Sequence, residues 1–194
     1  MTARRIVGTA TAILLGMCVA TLVLHAQGLR INLSASEPLG LYWMQPYRGE
    51  TLTKGALVAF CPPIQQQDYP FTLKGDCAGG TAPFFKEVIA VPGDRVRVSV
   101  QGVFINEQLV ADSQPKDHSE VTRNPLPHWW GKRVLGPGEY WVYGAGDAKN
   151  SFDSRYFGPV QAGQIQTVER AHSWNLNHAT PARTNPALPA IRRG

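Results

Sequence analysis

A mainly β domain behind one N-terminal transmembrane helix is the fold class that the 194-residue chain predicts, on three observations. Charged residues make up only 17% against 19 glycines and 15 prolines, a balance that favours a folded, turn-rich domain over a helical bundle or a disordered chain. Short runs such as Arg95-Val96-Arg97-Val98-Ser99-Val100 alternate with the period of two expected of strands. The nineteen residues of Ile6–Leu24 carry no charge at all. The chain beyond this anchor is long enough for one domain of roughly 150 residues with a real core. The net charge of +5 is modest and spread out, with no Lys/Arg run interleaved with aromatics, so nucleic acid is not expected as a partner.

The first element is the anchor itself. As a helix, Ile6–Leu24 rises about 28 Å, close to the hydrocarbon thickness of a bilayer. Arg4 and Arg5 precede it, which predicts a cytoplasmic N-terminus and an exported remainder. The expected location is therefore single-pass in the inner (cytoplasmic) membrane with the domain in the periplasm. The run exceeds the roughly 7–15 apolar residues of a secretory leader, so a retained anchor is expected rather than cleavage near Leu24-His25-Ala26. The expected organisation is a stub and anchor over 1–26, one domain over 27–178, and a Pro/Ala/Arg-rich disordered tail over 179–194.

Within the domain, Ser36-Glu37-Pro38-Leu39-Gly40 reads as a turn about ten residues past the anchor, and Leu41-Tyr42-Trp43-Met44 begins a strand. Gly55–Phe60 reads as a strand and Cys61–Thr81 as a long irregular loop. In an exported domain Cys61 and Cys77 could close that loop as a disulfide. Phe84–Val91 is a strand stopped by Pro92-Gly93-Asp94, and Asp94–Val110 is a hairpin. Ala111–Arg133, with its His128-Trp129-Trp130 knot, reads as an insertion outside the core. Gly136–Gly144 is a turn and a strand, Gly146–Val160 a loop dense in small polar residues, and Gln164–Glu169 a last short strand.

The chemistry narrows by exclusion. There is no HExxH pattern, no zinc spacing of His and Cys, no Walker A loop, no GxGxxG after a strand and no GxSxG elbow, so neither metal nor cofactor is expected. His118 and His128 lie in the polar insertion and His25 at the membrane boundary, poor places for a triad base. A serine with a lysine remains. Such a dyad requires an exposed hydroxyl on a turn, a desolvated lysine within reach and donors for an oxyanion. Ser36 on its turn is the candidate nucleophile. Lys86, behind Phe84 and Phe85, is the candidate neutral base, and the Ser36 N–H and Ser34 hydroxyl are the candidate oxyanion donors. Glu87 comes directly after the lysine but points to the opposite face of a strand. Leu41–Met44 and Phe84-Phe85 could serve either as core residues or as an interfacial contact with the lipid bilayer.

Three blocks in this order resemble the membrane-bound Ser–Lys signal peptidases, and most closely their TraF-type conjugative-transfer branch. They are Ser36-Glu37-Pro38-Leu39-Gly40-Leu41-Tyr42, Lys86-Glu87-Val88-Ile89-Ala90-Val91-Pro92-Gly93-Asp94, and Gly146-Asp147 with Ser151-Phe152-Asp153-Ser154-Arg155-Tyr156-Phe157-Gly158-Pro159. The resemblance implies a signal-peptidase-like β domain, Ser36 as nucleophile, Lys86 as general base and Ser34 as oxyanion helper. It further implies that Ser151 orients the lysine and that Asp153 and Arg155 hold the loop, with Asp153 also implicated in activity. Housekeeping signal peptidases carry a methionine after the serine and two residues before the proline. Glu37 and a single intervening residue stand here, which argues for the TraF-type branch. The implied substrate is a prepilin, or another membrane-held exported protein, of a conjugation machinery, with leader removal and cyclisation both open. The alternatives are a general type I signal peptidase and a non-catalytic anchored β-domain of a secretion machine.

Overall fold

The computed structural model describes residues 2–120, 122–170 and 174–175. The tail expected to be disordered, 179–194, lies outside the described residues. Helix α1 spans Thr2–Ala26, and within it Val7–Ala26 is long and apolar enough to cross a membrane, with a mean hydropathy of 2.2 and none of it buried against the protein.

The remainder is two antiparallel sheets. The larger runs β1 (Leu29–Asn32), β2 (Gly40–Pro46), β11 (Ile165–Glu169), β3 (Leu57–Phe60), β4 (Phe84–Ala90), β9 (Glu139–Tyr143) and β10 (Val160–Gln161) in spatial order. The smaller runs β7 (Gln108–Leu109), β6 (Gly102–Ile105), β5 (Arg95–Ser99) and β8 (Gly131–Val134). A twelfth strand, β12 (Trp174–Asn175), pairs with β2 at Leu41 and Gly40, so the strand at Ile165–Glu169 is not the last. Strand β1 and the one-turn helix α2 (Ser154–Phe157) are also additions to the sequence reading.

Alternation along β9, together with a register shift in β4 between Val88 and Ala90, builds two cores. Val88, Tyr140 and Val142 face one, with Val58, Phe60, Val160 and Ile165, while Ala90 and Trp141 face the other, with Val96, Val98, Val103 and Leu135. All five residues of β9 are buried, as expected of a strand covered on both faces. The β4–β5 turn places Gly93 at φ +91° and lets Asp94 accept the Val91 N–H at 2.9 Å, so the chain leaves one sheet and enters the other within a few residues.

The insertion Ala111–Arg133 is a correction. It was expected to lie outside the core, yet Trp129 packs edge-on against Trp141 at 5.0 Å, and its N–H donates to the Arg155 carbonyl at 3.0 Å. The segment is polar because it lies over α2 and exchanges hydrogen bonds with it, and one indole suffices to dock it. Trp130 is exposed and stacks on His128.

Candidate active site

Ser36 lies on the turn between β1 and β2, and one side chain organises that turn. Asn32 Nδ2 donates to the carbonyls of Ser34, Glu37 and Pro38, each at 3.0 Å, while its Oδ1 accepts the Ser34 N–H at 3.0 Å. From β2 the Tyr42 hydroxyl donates to the Pro38 carbonyl at 2.6 Å. Ser36 is left half-buried at the crest, beside an exposed Ser34. The Ser34 hydroxyl donates to Ser36 Oγ at 3.2 Å and accepts the Ser36 N–H at 3.3 Å. The two groups expected to receive an oxyanion therefore satisfy each other in the substrate-free chain.

Lys86 is only 5% exposed, because the alternation of β4 turns it inward with Val88. Burial penalises its charged form and lowers its pKa to about 8; Asp153 and Glu37 oppose that shift and Arg155 reinforces it. Glu87 falls on the other side of the strand and makes no ion pair with the lysine. No Ser36–Lys86 hydrogen bond is formed in this structure, and Ser36 Oγ, which accepts from Ser34, keeps its own proton to donate.

One backbone bond and two accepted by the Glu37 side chain draw the serine turn, the lysine strand and the segment after β9 together. The Gly146 N–H donates to the Ser36 carbonyl at 2.9 Å. Glu37 Oε1 accepts from the Glu87 N–H at 3.2 Å and the Ala145 N–H at 3.3 Å. Gly144 threads between Ser36 and Ser151: a Cβ there would sit 2.0 Å from Ser151 Oγ and 3.2 Å from the Ser36 carbonyl oxygen. Ser151 Oγ is buried and has no hydrogen-bond partner among the described residues, so it does not bond Lys86 in this state.

Asp153 and Arg155, both with fully buried side chains, form a two-pronged ion pair of 2.8 Å (Nε to Oδ1) and 2.9 Å (Nη2 to Oδ2). Arg155 Nη2 also donates to the carbonyls of Ala148 and Ser151 at 2.6 and 2.9 Å, and Asp153 Oδ2 accepts the Gly144 N–H at 3.2 Å. Next to this pair, Phe152 enters an aromatic cluster with Tyr69, Phe71 and Phe84. Tyr69 and Phe71 come from the loop that the Cys61–Cys77 disulfide closes, with Cα atoms 5.4 Å apart. Among the described residues, no group of three or more His, Cys, Asp or Glu side chains is placed to hold a metal ion.

The family model described as signal peptidase, peptidase S26, matches residues 3–174. The chain belongs to the S26 signal peptidase family. That family comprises serine peptidases, and with the apolar helix it supports a membrane-anchored protein. A plasmid transfer protein TraF of Escherichia coli is 36% identical over 152 residues, covering 75% of this chain and 83% of the relative. The conjugal transfer protein TraF of Agrobacterium tumefaciens is 33% identical over 148 residues, covering 74% and 81%. A probable conjugal transfer protein TraF of Sinorhizobium fredii is 37% identical over 148 residues, covering 71% and 73%. Among solved structures, a signal peptidase I from Enterococcus faecalis is similar at 20% identity and a TM-score of 0.34, covering 61% of this chain and 96% of that one.

For this S26 chain, sequence reasoning gave no structural task to three residues that shape the site. Asn32 had a readable signature, an Asx side chain two residues before a serine N–H at the end of a strand. Tyr42 reads in sequence only as a strand residue, though its hydroxyl pins the turn. Glu37 gave no local sign of burial, because what buries it comes from β4 and from Ala145, 108 residues later.

Proposed function

We propose that the chain is a membrane-anchored Ser–Lys endopeptidase that processes a prepilin of a conjugative transfer system through an acyl-enzyme. The observation that carries this reading is Lys86, almost wholly buried and held toward its neutral form, on a strand hydrogen-bonded to the serine turn. A buried lysine with no ion pair among the described residues has little structural use, whereas a free amine beside a hydroxyl is a general base. The plasmid and conjugal transfer names of the relatives support the biological setting.

In the mechanism, neutral Lys86 accepts the Ser36 proton as Oγ attacks the scissile carbonyl carbon. For this the Ser34 hydroxyl turns from Ser36 to the new oxyanion, freeing the Ser36 N–H to do the same. Such apo contacts commonly rearrange only when substrate enters. The tetrahedral intermediate collapses, the lysinium gives its proton to the leaving amine, and the acyl group stays on Ser36 Oγ. Water, giving up its proton to Lys86, completes hydrolysis; the substrate's own N-terminal amine in place of water closes a ring. Asp153 and Arg155 hold the floor of the site, and the buried Ser151 hydroxyl is available to orient the lysine.

Helix α1 holds the domain at the inner membrane, N-terminus in the cytoplasm and β domain in the periplasm. Ile31, Leu33, Leu39 and Leu41, exposed around the serine turn, meet the bilayer surface from which the substrate emerges. Co-expressing the intact chain with the cognate pilin precursor, and weighing the product, tests the proposal. Wild type yields mature pilin, and a cyclic product is lighter than the linear one by one water. Ser36→Ala and Lys86→Ala each abolish processing; processing that survives both ends the dyad reading in favour of a non-catalytic domain.

A further inference from the structure

Glu37 is a second buried acid of the site besides Asp153, and neither the dyad nor its supporting ion pair gives it a task. Its side chain is 2% exposed, and one carboxyl oxygen accepts two backbone N–H groups from different elements, Glu87 of β4 at 3.2 Å and Ala145 after β9 at 3.3 Å. Its own carbonyl is held by Asn32 at 3.0 Å. The residue next to the nucleophile thus ties the serine turn to the lysine strand and to the Gly144–Asp147 segment at once. We propose that Glu37 is a positioning residue that clamps these three segments and, by taking up or releasing a proton, governs the protonation of the neighbouring Lys86. This inference rests on the Ser36–Lys86 reading.

A glutamine would clamp as well, so the carboxyl group needs a separate reason. Burial pushes Glu37 up to about 8, against the pull of Lys86 and with the push of Glu87, while the two backbone bonds favour its charged form. Lys86 titrates over the same range from the other side, under burial, Asp153, Glu37 and Arg155. The remaining titratable group that feels Glu37 is Tyr42 on β2, raised chiefly by its own burial. Burial raises the acid and lowers the amine, so the two come to compete for one proton. With the proton on Glu37, Lys86 is a free base and no isolated charge is buried. With the proton on Lys86, the carboxylate holds it there and the base is lost. The two groups titrate as a pair.

The test compares the pH dependence of kcat/KM for the intact chain in membranes, wild type against Glu37→Gln and Glu37→Ala. Glu37→Gln keeps an acceptor for both N–H groups and removes the carboxylate that favours the lysinium. Its acidic limb moves to lower pH by about one unit, so activity on the acid side rises roughly tenfold relative to its own plateau. Glu37→Ala loses the clamp as well, and its plateau falls below that of the glutamine variant. An unmoved limb in Glu37→Gln, or a plateau loss equal to that of Glu37→Ala with no shift, overturns the inference. If Glu37→Gln does not fold, the carboxyl carbon resonance of Glu37 in the wild-type chain decides: titration above about pH 6 supports the inference, and titration in the ordinary glutamate range below about pH 5 overturns it. Ser36→Ala and Lys86→Ala keep the two failures apart. If both are inactive while the limb stays put, only the role of Glu37 falls; if both remain active, the dyad itself falls.

Discussion

Ser34 and Ser36 hold each other in the resting chain, and that mutual bond sets what one missing oxygen costs. In Ser34→Ala the Ser36 N–H loses its acceptor and the oxyanion loses a donor, while turn and strands keep their Asn32 and Tyr42 bonds. The expected outcome is a loss in kcat of about 10²–10³ with little change in KM, read from steady-state kinetics on a leader-bearing peptide. A loss confined to KM would put Ser34 in substrate binding instead. This residue scale is also where the sequence was least complete. Ser36 and Lys86 stood out because their block residues are contiguous and Asn32 was readable from its local spacing, but Glu37 acts through contacts made by folding, at distances the local pattern does not encode. Ser151 stays an intermediate case: it lies against Gly144, with its hydroxyl uncommitted among the described residues.

Strands were the most legible elements, because a period of two survives any tertiary context that buries one face. Strand β4 and the β5–β6 hairpin fall within a few residues of the sequence reading. The four residues of α2 and the two of β12 were missed, since so short a piece carries no periodicity; α2 exists because Asp153 caps its N-terminus, accepting the Arg155 N–H at 3.2 Å. The loop Cys61–Thr81 was read as irregular, and what it does for the site lies in Tyr69 and Phe71, which press on Phe152 between Ser151 and Asp153. Opening the Cys61–Cys77 bridge by a double serine replacement frees a loop with a sequence separation of 16 residues. The entropy of that closure is worth about 3 kcal/mol. Thermal unfolding should fall by several degrees, and peptide turnover should fall with it as the aromatic support of the third block loosens. Unchanged stability with the bridge removed would mean the aromatic contacts alone hold the loop.

For the molecule as a whole, the decisive arrangement is an anchor, a serine turn and an apolar rim within a short stretch of chain. Composition and the uncharged N-terminal run made that legible, but the two-core architecture was not, because it depends on β9 being covered on both faces and on Trp129 returning from a polar insertion. The proposed orientation predicts that protease added outside spheroplasts removes the β domain and leaves the N-terminal stub, whereas a domain protected from outside and cut in inverted vesicles would reverse it. All of this serves one chemical claim, that the fold lowers the pKa of Lys86 so that its amine can serve Ser36 as a base. The most direct test is the pH dependence of kcat/KM for the wild-type chain on a membrane-held leader peptide. The account predicts an acidic limb near the value of about 8 to which burial lowers Lys86, well below the ordinary lysine range. A rate that does not change across that range, or one that rises only toward the pKa of an exposed lysine, would contradict it.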